Sequence, residues 1–242
     1  MTDAAAATYQ SLIDEALFRP VRSGNAFEDT VSRLLQTIRL GIVEPGAALP
    51  SERELAARFS VSRDTVRDAM RELARAGYVV AKRGRYGGTF VCDVLPAAEP
   101  AAALTADEID DVLGLREILE VGAVRSAARR SLSAAERDAL WSRLKEVAAA
   151  DPDDYRRLDS RFHLSIAEAA GTPSLVGLVA DSRSRLNDLL DQIPLLPPNI
   201  AHSNKQHEAI VVAILRGDEQ VAAREMGEHL AGSAALLRGF LG

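Results

Sequence analysis

The stretch PSERELAARFSVSRDTVRDAMRELARAGYVVAKRGRYGGTFV, residues 50–91, contains the start and stop signals of two short helices and a hairpin. Ser51 precedes a helical run with acidic residues in its first turn, which suits a helix N-terminus. After a short turn, Ser62 caps a second predicted helix over residues 63–76, which Gly77 closes. This order of elements predicts a helix-turn-helix with a β-wing.

The second of these helices has an apolar face and a cationic face. Val66, Met70 and Leu73 recur at spacings of four and three, which predicts a stripe that faces the core. Arg63 and Arg67 share the other face near the N-terminus. A helix-turn-helix protein directs that end of its recognition helix at base edges, and arginine binds both guanine and phosphate. Two arginines on an isolated helix belong to an ordinary solvated face about as often as to a DNA-binding face. The interpretation therefore depends on the whole series of capped helix, turn, arginine-bearing helix and basic hairpin.

The predicted hairpin ends in a basic tip. Two β-prone runs, residues 78–80 and 89–91, flank the segment AKRGRYGG, whose glycines permit a tight turn. Lys82, Arg83 and Arg85 lie in this segment. Cations at a hairpin tip suit contact with phosphates or with the minor groove.

These motifs resemble the GntR family of bacterial transcription regulators. The family pattern is present as PSERELA at residues 50–56, as VSRxxVR at residues 61–67 and as GTFV at residues 88–91. Residues 30–40 would form the first helix, and the resemblance covers residues 27–92. It implies a winged helix-turn-helix domain that binds a double-stranded, pseudo-palindromic operator.

The resemblance also implies which side chains meet DNA, with the wing entering the minor groove. The candidate DNA-binding residues are Arg53, Ser62, Arg63, Thr65, Arg67, Arg83, Arg85, Gly87 and Gly88.

Charge is distributed unevenly along the 242 residues, which suffice for two domains that each have a core. Residues 27–92 contain 11 Lys and Arg against 8 Asp and Glu, a net charge of +3. The remaining residues contain 18 against 27, a net charge of −9, so the whole chain carries −6. The asymmetry places the nucleic-acid face in the N-terminal part. A charge of +3 is mild, so tight binding would need two copies or base-specific contacts.

Composition predicts a cytoplasmic protein that makes no membrane contact. No run approaches the roughly 18 apolar residues of a membrane span, and the first residues lack the pattern of a signal peptide. The single cysteine, Cys92, suits a reducing compartment and is interpreted as a small core residue.

The predicted fold class is mainly α, with four segments. They are an N-terminal extension (1–26), the winged helix-turn-helix domain (27–92), a Pro-containing linker (93–104) and an antiparallel bundle of about six helices (105–242). In the extension, Leu12, Ile13, Leu17 and Phe18 would form either a short helix packed on a neighbouring domain or subunit, or a frayed tail. The predicted helix starts in the bundle are Thr105, Ser133, Pro152, Pro173, Asn199 and Asp218.

A carboxylate and three imidazoles form the chemical pattern of the bundle. Asp159 and His163 are four residues apart and project from one helical face, while His207 and His229 lie on the last two predicted helices. Such a set suits a divalent ion such as Zn²⁺, Ni²⁺ or Mn²⁺. A helical histidine is more often an ordinary polar or core residue, and spacing leaves both interpretations open.

The C-terminal part resembles the FCD effector-binding domain of the FadR-type branch of GntR regulators. The shared features are LREILE at residues 115–120, the run DSRFHLSIAEAAGTP at residues 159–173, HEAI at residues 207–210 and EHL at residues 228–230. Metal-binding members of that branch hold one divalent ion with an aspartate and three histidines. The resemblance therefore implies a metal held by Asp159, His163, His207 and His229.

The effector is expected to be a small carboxylate, because a metal with open coordination positions can accept one. In this branch an arginine on the first bundle helix pairs with the ligand, which indicates Arg116; the alternative is a surface salt bridge. Asn204, three residues before His207, is a candidate hydrogen-bonding partner for the ligand or a metal-bound water.

The sequence thus predicts a homodimeric, ligand-responsive repressor and not an enzyme, since it contains neither a Ser-His-Asp set nor a phosphate loop. Two alternatives differ in kind. One is a metal-free regulator that senses a larger ligand such as an acyl thioester. The other is a metalloenzyme fused to a DNA-binding domain.

Overall fold

A computed structural model describes residues 17–18, 20, 26–84, 87–96 and 105–241. The described residues divide between two compact units, one within residues 14–97 and the other within residues 98–242.

The N-terminal unit contains three helices and a two-stranded antiparallel sheet among its described residues. The elements are α1 (Ala26–Arg39), α2 (Glu52–Phe59), α3 (Arg63–Arg75), β1 (Val79–Lys82) and β2 (Gly88–Val91). Helix α1 begins four residues before the predicted start at Thr30, with Glu28 and Asp29 in its first turn, where acidic side chains are favourable. Both strands are also longer than predicted, because Lys82 pairs with Gly88 across the hairpin.

Side-chain caps define the helix-turn-helix as predicted. Ser51 Oγ accepts from the amide of Glu54 at 3.3 Å, and the Glu54 carboxylate accepts from the Ser51 amide at 2.9 Å, so α2 begins with a capping box. Ser60 ends α2 in the left-handed region at φ 56°. Ser62 Oγ then accepts from the amide of Thr65 at 3.0 Å and caps α3.

The core of the N-terminal unit forms where the three helices meet the hairpin. The predicted stripe on α3 is confirmed, since Val66, Met70 and Leu73 are all buried. Phe18 is also buried and its ring stacks on Phe59 with centroids 5.5 Å apart. Leu17 is buried too, so a frayed tail is wrong for Leu17 and Phe18; the other two predicted residues of the extension, Leu12 and Ile13, lie outside the described residues.

The second unit is a bundle of six helices over residues 105–241, as predicted. They are α4 (Ala106–Arg129), α5 (Ala134–Ala148), α6 (Pro152–Ala169), α7 (Pro173–Leu190), α8 (Pro197–Arg216) and α9 (Glu219–Leu241). Capping boxes begin α4 at Thr105 and α5 at Ser133. Helix α8 starts at Pro197 and not at Asn199, because proline suits the first helical turn. In the described part of the chain, no helix combines the length and apolarity that crossing a membrane requires.

Helix α6 lies in the interior of the bundle, which decides where its polar side chains go. Every residue from Asp159 to Ala170 is buried. Helices α4 and α9 run antiparallel beside it, as shown by cross-links in reverse order. These are Asp110 with Arg238, Arg116 with Ser233 and Arg129 with Glu219. Charged groups on α6 must therefore find partners inside the bundle.

Candidate functional site

Three helices of the bundle bring the four predicted metal ligands together. Asp159 and His163 come from α6, His207 from α8 and His229 from α9, and all four are buried. One potential ligand atom from each residue lies within 4.8 Å of the others. Side chains separated by up to 70 residues in sequence thus converge on one point, as the resemblance to the FCD domain implied.

The distances between donor atoms fit a single ion. Asp159 Oδ1 lies 3.4 Å from His207 Nε2 and 3.7 Å from His163 Nε2. His207 Nε2 and His229 Nε2 are 3.4 Å apart. Neighbouring ligand atoms at about 2.0–2.2 Å from one ion are about 2.8–3.6 Å from one another, from octahedral to tetrahedral angles, and an ion of coordination number five or six keeps a position open beside these four ligands. A carboxylate and three imidazoles are also the donors that zinc, nickel and manganese accept, so these residues fit a divalent metal.

Neighbouring side chains orient two of the histidines toward the centre. The Glu120 carboxylate contacts His163 Nδ1, so a metal at the cluster would bind Nε2 while Nδ1 faces the carboxylate. His229 Nδ1 lies 3.2 Å from Gln206 Oε1, an acceptor that likewise leaves Nε2 to bind a metal. Both rings thus have Nε2 on the side of the cluster where a metal would bind.

Arg116 is not on the surface, so the alternative of a surface salt bridge is wrong. Its side chain is 3% exposed; Nε donates to Glu120 Oε1 at 3.1 Å and Nη1 donates to Ser233 Oγ at 2.6 Å. Desolvation lowers the pKa of Arg116, and the nearby Glu120 carboxylate partly offsets that effect. Arg116 thus belongs to the buried network around the donor cluster.

Sequence reasoning missed Arg183 of α7, which is completely buried and forms an ion pair with Asp159. A signal for it was available. Val176, Val179 and Leu186 define the buried face of α7, and position 183 falls on that face at helical spacing. An arginine in the register of a buried apolar stripe indicates an internal anion. Glu120, four residues after Arg116, was missed in the same way.

The acidic groups of the cluster stay ionised although they are buried. Burial by itself raises the pKa of Asp159, but the positive charge of Arg183 opposes this effect, and the pKa lies well below its usual range. Burial likewise opposes ionisation of Glu120, whereas His163 and Arg116 bring its pKa far below normal. For His207, burial lowers the pKa to about 3, and burial also lowers the pKa of His229. Neutral imidazoles beside a carboxylate are the state that binds a metal.

These pKa shifts predict that the metal-free protein loses stability on mild acidification. The unfolded histidines take up protons below pH about 6.5, whereas folded His207 stays neutral to pH about 3. The unfolded state then binds more protons, and stability falls by up to about 1.4 kcal/mol per pH unit for each such histidine. Urea denaturation of the bundle in EDTA at pH about 7, 6 and 5 measures this slope. A free energy of unfolding that is flat across this range would contradict it, and His207→Gln should reduce the slope.

The remaining effector candidate, Asn204, lies one helical turn before His207 on α8. It is half-buried, and its Oδ1 atom has no hydrogen-bond partner among the described residues. A buried carbonyl oxygen without a donor is rare in native proteins. The amide is therefore available to a ligand or a water molecule.

The N-terminal unit exposes its predicted cations on one end of α3. Arg63 is exposed and makes no ion pair within the described residues, and Arg53 on α2 is also exposed. Arg67 differs, because it is 44% exposed and pairs with Asp64 at 2.9 Å and Glu52 at 3.2 Å. Thr65 Oγ1 lies 2.8 Å from the capping oxygen of Ser62, so these two hydroxyls already have a structural partner.

The wing contains the exposed side chain of Arg83 and one closely packed glycine, Gly87. A Cβ atom on Gly87 would lie 2.7 Å from the Lys82 carbonyl oxygen, so this position excludes other residues for steric reasons. Gly88 begins β2, and a Cβ there would meet only ordinary contacts. Arg85 lies outside the described residues.

Comparisons with known proteins agree with this architecture. The model for bacterial regulatory proteins of the gntR family matches residues 27–91, and the FCD domain model matches residues 111–232. An Escherichia coli K12 protein named for the L-lactate dehydrogenase operon is 30% identical over 87% of this chain and 84% of its own length. The repressor NanR of Cronobacter sakazakii is 30% identical over 88% of this chain and 85% of its length.

Two further similarities extend the comparison. The regulator LutR of Bacillus subtilis is 27% identical over 84% of this chain and 97% of its length. The solved structure of Escherichia coli McbR/YncC has the same fold, with a TM-score of 0.56 at 18% identity over 88% of this chain and 97% of that one. The chain therefore belongs to the GntR family of DNA-binding bacterial transcription regulators and carries a C-terminal FCD domain.

Proposed function

We propose that this regulator is a repressor whose bundle holds one divalent metal ion and senses a small carboxylate. The observation that carries the proposal is the buried set of Asp159, His163, His207 and His229, with donor atoms at distances that suit one ion. Bound there, a metal would supply a Lewis-acidic position for an effector carboxylate. We further propose that Arg116 and Asn204 contribute to the effector site.

On the DNA side, we propose that α3 enters the major groove by its N-terminal turn. Arg63 and Arg67 would contact base edges there, with Arg53 beside them. The hydroxyls of Ser62 and Thr65 and the wing residues Arg83, Arg85, Gly87 and Gly88 would contact the DNA backbone or the minor groove. Two copies of the winged domain would bind the half-sites of a pseudo-palindromic operator, as a homodimer does.

The surface that would join the two copies is an apolar patch on α4 and α7. Leu115, Ile118 and Leu178 are 39%, 74% and 49% exposed. Asp111 pairs with Arg185 at 3.1 Å across the two helices, which run antiparallel. Ile118 lies seven residues, or about two helical turns, after Asp111 on α4. Leu178 lies the same distance before Arg185 on α7. Because the two helices are antiparallel, Ile118 and Leu178 lie on the same side of the helix pair as the ion pair. A second copy of the chain suits this patch, because a two-fold symmetric dimer places the same patch of both subunits in contact.

Replacing Ile118 by glutamate is expected to shift the protein from dimer to monomer, because a charge would be buried against the partner's apolar patch. Sedimentation velocity on the metal-loaded protein measures the change. Phe240→Glu, which adds the same charge at an exposed apolar residue of α9, is the matched control and should stay dimeric. An unchanged sedimentation coefficient for the Ile118 variant would place the interface elsewhere.

Elemental analysis combined with DNA binding tests the proposed function. Untagged protein purified without chelator should contain about one zinc, nickel or manganese per chain. Small carboxylates added to the metal-loaded protein should then release the protein from a DNA site that was selected from a random pool. Protein that is metal-free and takes up no added ion would refute the metal site. Release by an acyl thioester in that protein would favour the larger-ligand alternative.

A further inference from the structure

The guanidinium of Arg183 is the most incompletely satisfied charged group within the described part of the bundle. It is 0% exposed, yet only Nη2 has hydrogen-bond partners, namely Asp159 Oδ2 and, at 3.3 Å, Ser160 Oγ. Its Nε and Nη1 atoms have no hydrogen-bond partner among the described residues, although Nη1 lies 3.9 Å from Glu120 Oε1, an ion pair too long for a hydrogen bond. Leaving buried charged donors without acceptors costs free energy that native proteins rarely tolerate. An acceptor supplied from outside the protein would remove this cost.

The other buried arginine of the network does not share this property. Arg116 already donates from Nε to Glu120 and from Nη1 to Ser233. Arg183 also lies nearer the donor cluster, because Asp159 joins the two directly. One carboxylate oxygen of Asp159 contacts Arg183, and the other lies 3.4 Å from His207 Nε2. A small molecule that reaches the centre of the cluster therefore also lies close to Arg183.

The charge balance of the cluster shows what such a molecule must carry. The buried charged groups around the donors are Arg116 and Arg183 against Glu120 and Asp159, and they cancel. The histidines that ligate a metal are neutral. A divalent ion would therefore add two positive charges to a buried site that has no surplus anion. An uncompensated buried charge is strongly unfavourable, so the ion needs a matching anion.

We propose that Arg183 and the metal ion form a two-point site for a small dianion, such as a dicarboxylate, so that metal and anion bind together. One anionic group would occupy the open position on the metal, and the other would accept hydrogen bonds from Nε and Nη1 of Arg183. This inference rests on the proposed function and narrows its effector from any small carboxylate to one with two negative charges. Because linkage is reciprocal, the dianion raises metal affinity by the same factor by which the metal raises dianion affinity.

The test measures Zn²⁺ affinity of the full-length, metal-stripped protein by competition with a chromophoric chelator. The buffer contains chloride only, and succinate, malate or acetate is added at matched ionic strength. At least one of the two dicarboxylates should tighten Zn²⁺ binding about tenfold or more, and acetate should do much less. A dicarboxylate that binds free Zn²⁺ in solution would lower the apparent Zn²⁺ affinity of the protein, so this side reaction cannot produce the expected increase. Equal effects of acetate and the dicarboxylates, or no effect of any of them, would overturn the inference.

Arg183→Gln tests the second contact point. The variant retains all four metal ligands but loses the group that orients Asp159, so Zn²⁺ binding in chloride buffer should weaken by at most about 10- to 100-fold, and the measured quantity is the ratio of Zn²⁺ affinities with and without dicarboxylate. The variant should lose the enhancement by dicarboxylate. The matched control is Arg185→Gln, an exposed position two residues further along α7, which should behave like the wild type. General damage to the bundle would instead weaken Zn²⁺ binding in every buffer and leave the ratio of affinities with and without dicarboxylate unchanged.

Arg183→Lys covers the case in which the glutamine variant does not fold, as judged by circular dichroism. Lysine keeps the charge but lacks the planar fork, so the enhancement should fall and Zn²⁺ binding should remain. A full enhancement in either folded variant would overturn the role of Arg183. Wild-type protein that binds one Zn²⁺ but shows no anion dependence refutes only this inference. Wild-type protein that binds no Zn²⁺ refutes the proposed metal site as well.

Discussion

Arg63→Ala is expected to abolish specific operator binding while the winged domain stays folded. Arg63 is exposed at the first turn of α3 and makes no ion pair within the described residues, so its guanidinium is available to a guanine. A bidentate arginine–guanine pair contributes about 1–3 kcal/mol, and two half-sites double this to about 2–6 kcal/mol, or roughly 30-fold to above 10⁴-fold in affinity. Weak, salt-sensitive binding through phosphates should remain.

Fluorescence anisotropy with a DNA site selected from a random pool by the wild type measures this loss. Arg75→Ala is the matched control, because Arg75 lies in the last turn of α3, is 75% exposed and pairs with Glu72. It removes the same charge from the same helix and should leave the affinity nearly unchanged. Operator affinity retained after the Arg63 substitution would defeat the proposed docking of α3. Arg67→Ala should also weaken binding, although Asp64 and Glu52 already hold that guanidinium in the unbound protein.

The second large effect is expected from His207→Ala, which should remove the metal. The His207 ring is fully buried, and its Nε2 atom is 3.4 Å from both Asp159 Oδ1 and His229 Nε2, so it occupies the middle of the donor set. Changes in the residues that merely orient ligands weaken metal binding by about 10- to 100-fold, so loss of a ligand should exceed about 100-fold. Elemental analysis and Zn²⁺ titration measure the result.

His202→Ala supplies the control on the same helix, since His202 is exposed on α8. Its metal content should match the wild type. The His207 ring also packs against Phe162, with centroids 4.5 Å apart, so the alanine variant will lose some bundle stability. His207→Gln keeps more of that volume and should lose metal to a similar degree. Full metal occupancy in both folded variants would exclude His207 as a ligand.

Most of the secondary structure of the N-terminal unit could be predicted from helix caps and the spacing of apolar residues. Ser51 and Ser62 cap the helices that follow them, and the apolar spacing on α3 identifies the face that is buried. Such signals are strong because caps and helical periodicity act within a few residues of chain. The start of α1 was predicted less well, since the helix already begins at Ala26, four residues before Thr30.

The amino-acid sequence by itself determined the family, the order of the elements and the identity of the four clustered donor residues. Asp159 and His163 share a helical face in any α-helix, and the family resemblance supplied His207 and His229. Only the tertiary structure decided which charges lie inside the bundle. The register of Arg183 with the apolar face of α7 indicates burial, but the opposite charges that pair with Arg183 and Glu120 inside the bundle are brought to them only by packing beside α6. Burial of a charge depends on an opposite charge from another helix, and that pairing exists only once the helices have packed.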